Sequence, residues 1–171
     1  LMKSVEVYTH LKNLLKEKEL SVSVGDEGGF APNLKTSEEV LDLIILSIER
    51  AGLIYLNDIS IALDCAASEL FNKDTYRLTG ENKKYSSEEM VVYIQSLVDK
   101  YEIKSVEDPF DETDWNSWKT FTNNNKDLQI VGDDIFVTQE KILTKGIENK
   151  VANSILIKLN QVGTLSETMQ T

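Results

Sequence analysis

An α/β fold on a parallel sheet, and within that class a partial (β/α)8 barrel of the TIM type, is predicted from three features of this sequence. Helix-like and strand-like runs alternate along all 171 residues, the order that produces parallel strands with helical crossovers. Five strand-like runs each deliver a charged residue at or just past their C-terminal end. Glu27 follows SVSVGD, Asp64 ends ISIALD, Glu107 ends IKSVE, Asp133 ends LQIVGD and Lys158 ends SILIK. In a parallel barrel those ends all face one way, so the charges converge on one site. A doubly wound sheet fits the alternation equally well, but it gathers its site at one switch point rather than along successive strand ends. A closed barrel needs about eight strands and ~250 residues, so about three strands are missing from these five.

Taken in order, residues 2–18 carry Val7, Leu11, Leu14 and Leu15 at helical spacing, with Lys and Glu on the other face. Ser21–Val24 is a short β-like run, and Gly25-Asp26-Glu27-Gly28-Gly29-Phe30-Ala31-Pro32 is a loop dense in breakers. Thr36-Ser37-Glu38-Glu39 forms a capping box that opens a helix through Arg50, with Gly52 placed to end it. Ile59–Asp64 reads as a strand. The polar segment 71–85 reads as an insertion, with a hairpin at Asp74–Thr79. Ser86-Ser87-Glu88-Glu89 is a second capping box before the stripe Met90, Ile94, Leu97, Val98 and Tyr101.

Ile103–Glu107 alternates like a strand, and Asp108-Pro109 stops it. Trp115, Trp118 and Phe121 follow at helical spacing and read as core. Leu128–Asp133 is a strand, Thr138 caps a helix to about Asn149, and Ala152–Lys158 is the next strand. Thr164-Leu165-Ser166-Glu167 is a third capping box. No linker or low-complexity segment divides the chain.

Asp and Glu outnumber Lys and Arg by 29 to 18, a net charge of −11. That balance argues against a nucleic-acid partner, which needs a basic face; it is compatible with a site for divalent cations and equally with the acidic surface common in soluble cytosolic enzymes. No apolar run approaches the ~18 residues of a membrane span. Leu1-Met2-Lys3-Ser4 runs straight into a helix pattern with no resemblance to a signal peptide, and a chain whose first residue is not Met is expected to be an excerpt of a longer one. Cys65 and His10 are the single Cys and His, which rules out an internal disulfide and Cys/His zinc sites and fits a reducing compartment.

Asp64, Glu107 and Asp133 form an all-oxygen trio of the kind that holds Mg²⁺. Each alone reads as a solvated strand end. Three in register, with Lys158 at the same place on the next strand, read as a site. Lys158 between Ile157 and Leu159 is a candidate general base, pushed toward neutrality by a nearby cation and desolvation, with a strand-end Lys pairing with one of the acids as the alternative. Glu27, beside two glycines, is a candidate acid, with a plain polar turn as the alternative. Asp26, Asp108 and Asp134 stand beside these residues as partners that orient them. His10 reads as a helix-boundary residue, Gly28-Gly29 has neither dinucleotide nor Walker spacing, and Cys65 and Ser68 lack a nucleophile's partners.

At these residues the chain resembles the enolase family. The matching motifs are VGDEGGFAPN at 24–33, ALDCAASE at 62–69, SVEDPFDETDW at 105–115, QIVGDDIFVT at 129–138 and ILIKLNQVGTLSE at 155–167, in the family's order. The resemblance implies that residues 1–171 are part of the family's catalytic barrel domain. It further implies reversible dehydration of 2-phosphoglycerate to phosphoenolpyruvate, with Asp64, Glu107 and Asp133 as magnesium ligands. Lys158 would be the proton-abstracting base and Glu27 the donor to the leaving hydroxyl, with Glu107, Asp133 and Lys158 also facing substrate. The family's N-terminal α+β domain and last barrel strands, with their phosphate-holding residues, are expected outside this chain. The full-length protein is expected to be a cytoplasmic homodimer or larger. The 171-residue piece alone is expected to be inactive and poorly folded. Two other readings stand beside this one. One is a different enolase-superfamily enzyme. The other is a non-catalytic surface module binding a host protein such as plasminogen, with a cell-surface or secreted pool.

Overall fold

The computed structural model describes Leu1–Thr171. It holds two compact units, Leu1–Ser60 with Thr79–Asn82, and Ile61–Leu78 with Lys83–Thr171. No helix is long and apolar enough to cross a membrane.

The first unit is a helical pair. Helix α1 (Met2–Glu17) and helix α2 (Ser37–Arg50) pack through Leu14, Leu15 and Leu43, with Leu11, Leu20, Val22, Phe30 and Leu34 around them. The apolar stripe expected on α1 is the face that is buried. Thr36 caps α2 by accepting the Glu39 N–H at 3.1 Å, but the Glu39 carboxylate takes the Lys35 N–H instead of Thr36's own, so the box is half formed. Gly52, at φ +72°, ends the helix in the left-handed conformation, and the Leu53 N–H returns to the Ile48 carbonyl at 3.1 Å. The run Ser21–Val24, expected to be a strand, joins no sheet. Val24 makes one antiparallel bridge to Phe30 and is 56% exposed, so its alternation reflects a bent loop rather than a half-buried ribbon.

The second unit carries the parallel sheet. Strands β1 (Ala62–Asp64), β5 (Ser105–Glu107), β6 (Gln129–Gly132) and β7 (Ser154–Ile155) lie side by side in that order, all parallel. Four strands form the sheet, not five, and chain order equals spatial order. That is the winding of a barrel wall; a doubly wound sheet reverses order somewhere. Helices α3 (Ser87–Tyr101), α4 (Trp115–Asn124) and α5 (Glu140–Asn149) fill the crossovers. A complete capping box on Ser86 opens α3. Val106 and Ile130 at the sheet centre are fully buried, as are Trp118, Phe121 and Phe110, and the Phe110 ring meets Trp118 and Phe121 edge-on. The core reading of the aromatic run on α4 therefore holds for Trp118 and Phe121, whereas Trp115 is only half-buried, with Lys145 Nζ 4.3 Å from its ring centroid.

Between β1 and α3 the polar insertion folds as a three-stranded antiparallel sheet of β2 (Phe71–Asn72), β3 (Thr75–Leu78) and β4 (Lys83–Tyr85). Tyr76 fastens it to the loop after β5. Its hydroxyl donates to Asp114 Oδ2 and accepts the Asp111 N–H, both at 2.9 Å. The chain closes with α6 (Leu159–Val162) and α7 (Leu165–Gln170); Thr164 caps the latter by accepting the Glu167 N–H at 3.2 Å, but the Glu167 carboxylate takes the Thr164 hydroxyl rather than its N–H, so this box too is half formed.

Candidate metal and proton-transfer site

Strand register decides which side chains can meet. Asp64 and Glu107 are direct partners across β1 and β5, so they leave the same face of the sheet. Glu107 is opposite Val131 on β6, and Asp133 stands two residues further on, keeping the same parity. The ladder continues past the strand ends through Cys65 N–H to Glu107 O at 2.9 Å and Leu156 N–H to Gly132 O at 3.1 Å. Lys158 follows, and its ammonium forms an ion pair with Asp133 Oδ2. Asp64, Glu107, Asp133 and Lys158 thus arrive at the C-terminal end of one sheet.

Glu107, Asp108 and Asp133 each offer an oxygen within 4.8 Å of the others. Asp64 lies outside that close set, with Oδ1 accepting the Ala66 N–H at 3.1 Å, yet its charge reaches Glu107. Burial, then the charges of Asp64, Asp108 and Asp133, hold the Glu107 carboxyl above its ordinary range, while Lys158 pulls it down. Crowded carboxylates of this kind are relieved by a cation, and an all-oxygen set suits a hard one. The residues present therefore fit a metal ion.

Asp108 serves another purpose within the cluster. It is 3% exposed, sits at φ +41°, and its two oxygens accept the N–H groups of Asp133 (3.0 Å) and Asp134 (2.9 Å). With both oxygens so engaged, it ties the end of β6 to the end of β5 and fixes where Asp133 points. Burial raises its carboxyl to about 6, against the pull of those two N–H groups. Asp134 is raised by burial and by Asp133.

The amine behaves differently from expectation in this structure. The hydrogen bond that the Lys158 ammonium donates to Asp133, opposed by desolvation, raises the Lys158 pKa and keeps the ammonium charged; the expected shift toward neutrality depends on a cation competing for Asp133. Lys158 is also not a strand residue. β7 ends at Ile155, and Lys158 stands at the start of α6. Thr138 is a second correction. The residue at the start of α5 is Gln139, without a side-chain cap, and Thr138 is turned inward, fully buried at φ +52°, where it bonds Lys158 and Gln161.

Gln161 was not singled out by the sequence, although it donates to Asp133 Oδ1 at 2.7 Å. The signal was its place three residues after Lys158, one helical turn on, but α6 is too short to show a periodicity. Glu27 lies in the first unit, exposed in the Gly25–Gly29 loop. Nearby, Tyr8 stacks on Phe30 and donates to the Gly28 carbonyl at 3.2 Å. The half-buried Cys65 thiol is pushed up to about 12 by desolvation and then by the charges of Asp64 and Asp108, which disfavours the nucleophilic thiolate.

All of the chain, residues 1–171, matches the family described as the enolase C-terminal TIM barrel domain. The chain belongs to that family. The enolase of Wolinella succinogenes is 53% identical over 170 residues, covering 98% of this chain and 40% of that protein. The enolase of Legionella pneumophila (strain Lens) is 49% identical over 172 residues, covering 99% and 40%. The chain thus spans about 40% of the length of these relatives. The open parallel sheet is a partial wall of the enolase barrel, and the acidic cluster stands where barrel enzymes place their chemistry, at the C-terminal strand ends.

Proposed function

We propose that the protein bearing this chain is a magnesium-dependent hydro-lyase that interconverts 2-phosphoglycerate and phosphoenolpyruvate. The observation that supports it most is the meeting of Glu107, Asp133 and Lys158 at the C-terminal ends of three adjacent parallel strands. Asp64, Glu107 and Asp133 would hold the Mg²⁺. When bound, the ion supplies positive charge that offsets the charge building on the substrate carboxylate. Lys158 Nζ, once neutral, takes the proton from the carbon beside that carboxylate. The C–H electron pair becomes the new C=C bond, and the hydroxyl on the next carbon leaves. Glu27 gives that hydroxyl a proton, so water departs; its part rests on the match of the GDEGG loop alone. The reading carries with it a cytoplasmic homodimer or larger assembly, as the family resemblance implies.

The test follows phosphoenolpyruvate formation with and without Mg²⁺ in the polypeptide bearing this chain. Lys158→Ala is expected to lower kcat by about 10²–10⁴-fold, the range for loss of a general base. Glu107→Gln keeps size and loses charge, and is expected to raise the Mg²⁺ needed for half-activity about 10-fold or more. Full activity in either variant removes that residue from its role.

A further inference from the structure

Asp133 and Lys158 are joined twice, once directly and once the long way round. The Lys158 backbone N–H donates to Thr138 Oγ1 at 2.9 Å, the Thr138 hydroxyl donates to Gln161 Oε1 at 2.6 Å, and Gln161 Nε2 donates to Asp133 Oδ1 at 2.7 Å. The ion pair from Lys158 Nζ to Asp133 Oδ2 closes the ring.

Each link has only one possible direction. A backbone N–H can only donate, so Thr138 Oγ1 accepts there and its single proton must go to Gln161. Gln161 therefore presents its carbonyl to Thr138 and its NH₂ to Asp133, which fixes the amide orientation without ambiguity. Reversing the amide would set a carbonyl against a carboxylate. Thr138 is fully buried, and it and Val137 are consecutive β-branched residues at φ +52° and +43°. That backbone is unfavourable for such side chains and persists only where the surroundings over-determine it. The segment between β6 and α5 is held in a costly conformation that aims one hydroxyl at this ring.

We propose that Gln161 and Thr138 are positioning residues for the metal and base site. Gln161 occupies one oxygen of Asp133 with a neutral donor and holds the carboxylate plane, and Thr138 fixes both the Gln161 amide and the start of the segment that carries Lys158. This rests on the function proposed above, because it treats Asp133 as a ligand and Lys158 as the base. A neutral donor on Asp133 orients the carboxylate without adding a second positive charge beside Lys158. Outer partners of this kind typically matter by about 10–100-fold in metal affinity or activity.

The test measures Mg²⁺ binding without substrate by calorimetry, and phosphoenolpyruvate formation separately. The proteins are wild type, Thr138→Val, Thr138→Ser, Gln161→Met and the Thr138→Val/Gln161→Met double variant. Gln161→Met is close in size and lies on a half-exposed short helix, so it preserves the fold; near-ultraviolet circular dichroism checks this. Thr138→Val and Gln161→Met are each expected to weaken Mg²⁺ binding about 10-fold and to lower kcat more than they raise KM. Thr138→Ser keeps the hydroxyl and is expected to restore both. The double variant is expected to be no weaker than Gln161→Met, because the two act through one chain of bonds. Wild-type Mg²⁺ affinity in folded Gln161→Met, or Thr138→Ser behaving like Thr138→Val, overturns the positioning role. Weakened Mg²⁺ binding in the variants of a wild type that forms no phosphoenolpyruvate supports the positioning role and overturns the proposed reaction. A wild type that binds no Mg²⁺ overturns both.

Discussion

Tyr76 shows how much one side chain can carry. It is fully buried in a short surface sheet, yet its hydroxyl is the partner of both the Asp111 N–H and the Asp114 carboxylate in the loop that follows Glu107. Tyr76→Phe leaves that buried N–H without an acceptor and is expected to cost about 1–3 kcal/mol, measured by urea unfolding. Burial, with the charges of Asp114 and Asp111, raises the phenol above its ordinary 10.0, against a lowering contribution from the Asp111 N–H. The folded state therefore disfavours the phenolate. Its contribution to stability is complete below pH 10 and is lost as pH climbs from there toward the folded value. Wild type is expected to lose stability above about pH 10, and Tyr76→Phe is expected to lose less over that interval. Equal stability of the two proteins at pH 8 would contradict this account. Residue types at strand ends made Asp64, Glu107, Asp133 and Lys158 legible as candidates in the sequence. Thr138 and Gln161 were not legible, because their parts depend on a left-handed backbone and a helix of one turn, neither of which leaves a periodic trace.

Among the elements, the helices were the clearest in the sequence because long apolar stripes and caps specify them redundantly. The strands of the parallel sheet are two to four residues long, so their ends were set by partners rather than by pattern. Ser21–Val24 had the alternation of a strand but found no sheet partner, and β7 stopped three residues before Lys158. Gly132, at the end of β6, leaves room for the Ile135 and Phe136 side chains to pack against its backbone. A Cβ there would stand 2.6 Å from both Ile135 Cγ2 and Phe136 Cδ2, and the Phe136 ring is also tight against Gly146. Gly132→Ala is therefore expected to destabilise by about 1–3 kcal/mol and to displace Asp133, its neighbour. Thermal unfolding checks the first effect and Mg²⁺ titration the second. An alanine variant with unchanged melting and Mg²⁺ affinity would show that the Phe136 ring moves aside freely.

For the molecule as a whole, net charge of −11 and four parallel strands in chain order converge on one conclusion. The alternation of helix and strand already announced a parallel sheet. Only the strand order separates a barrel wall from a doubly wound sheet, since no residue pattern records which strand sits beside which. That order puts successive strand ends side by side, and the site depends on their adjacency. The central claim is that Asp64, Glu107 and Asp133 share one divalent ion beside Lys158. The most direct measurement is anomalous scattering from crystals soaked in Mn²⁺, an ion with the same preference for oxygen ligands as Mg²⁺. One strong peak about 2 Å from carboxylate oxygens of all three residues is predicted. A peak elsewhere, or none with the carboxylates ordered, would contradict it.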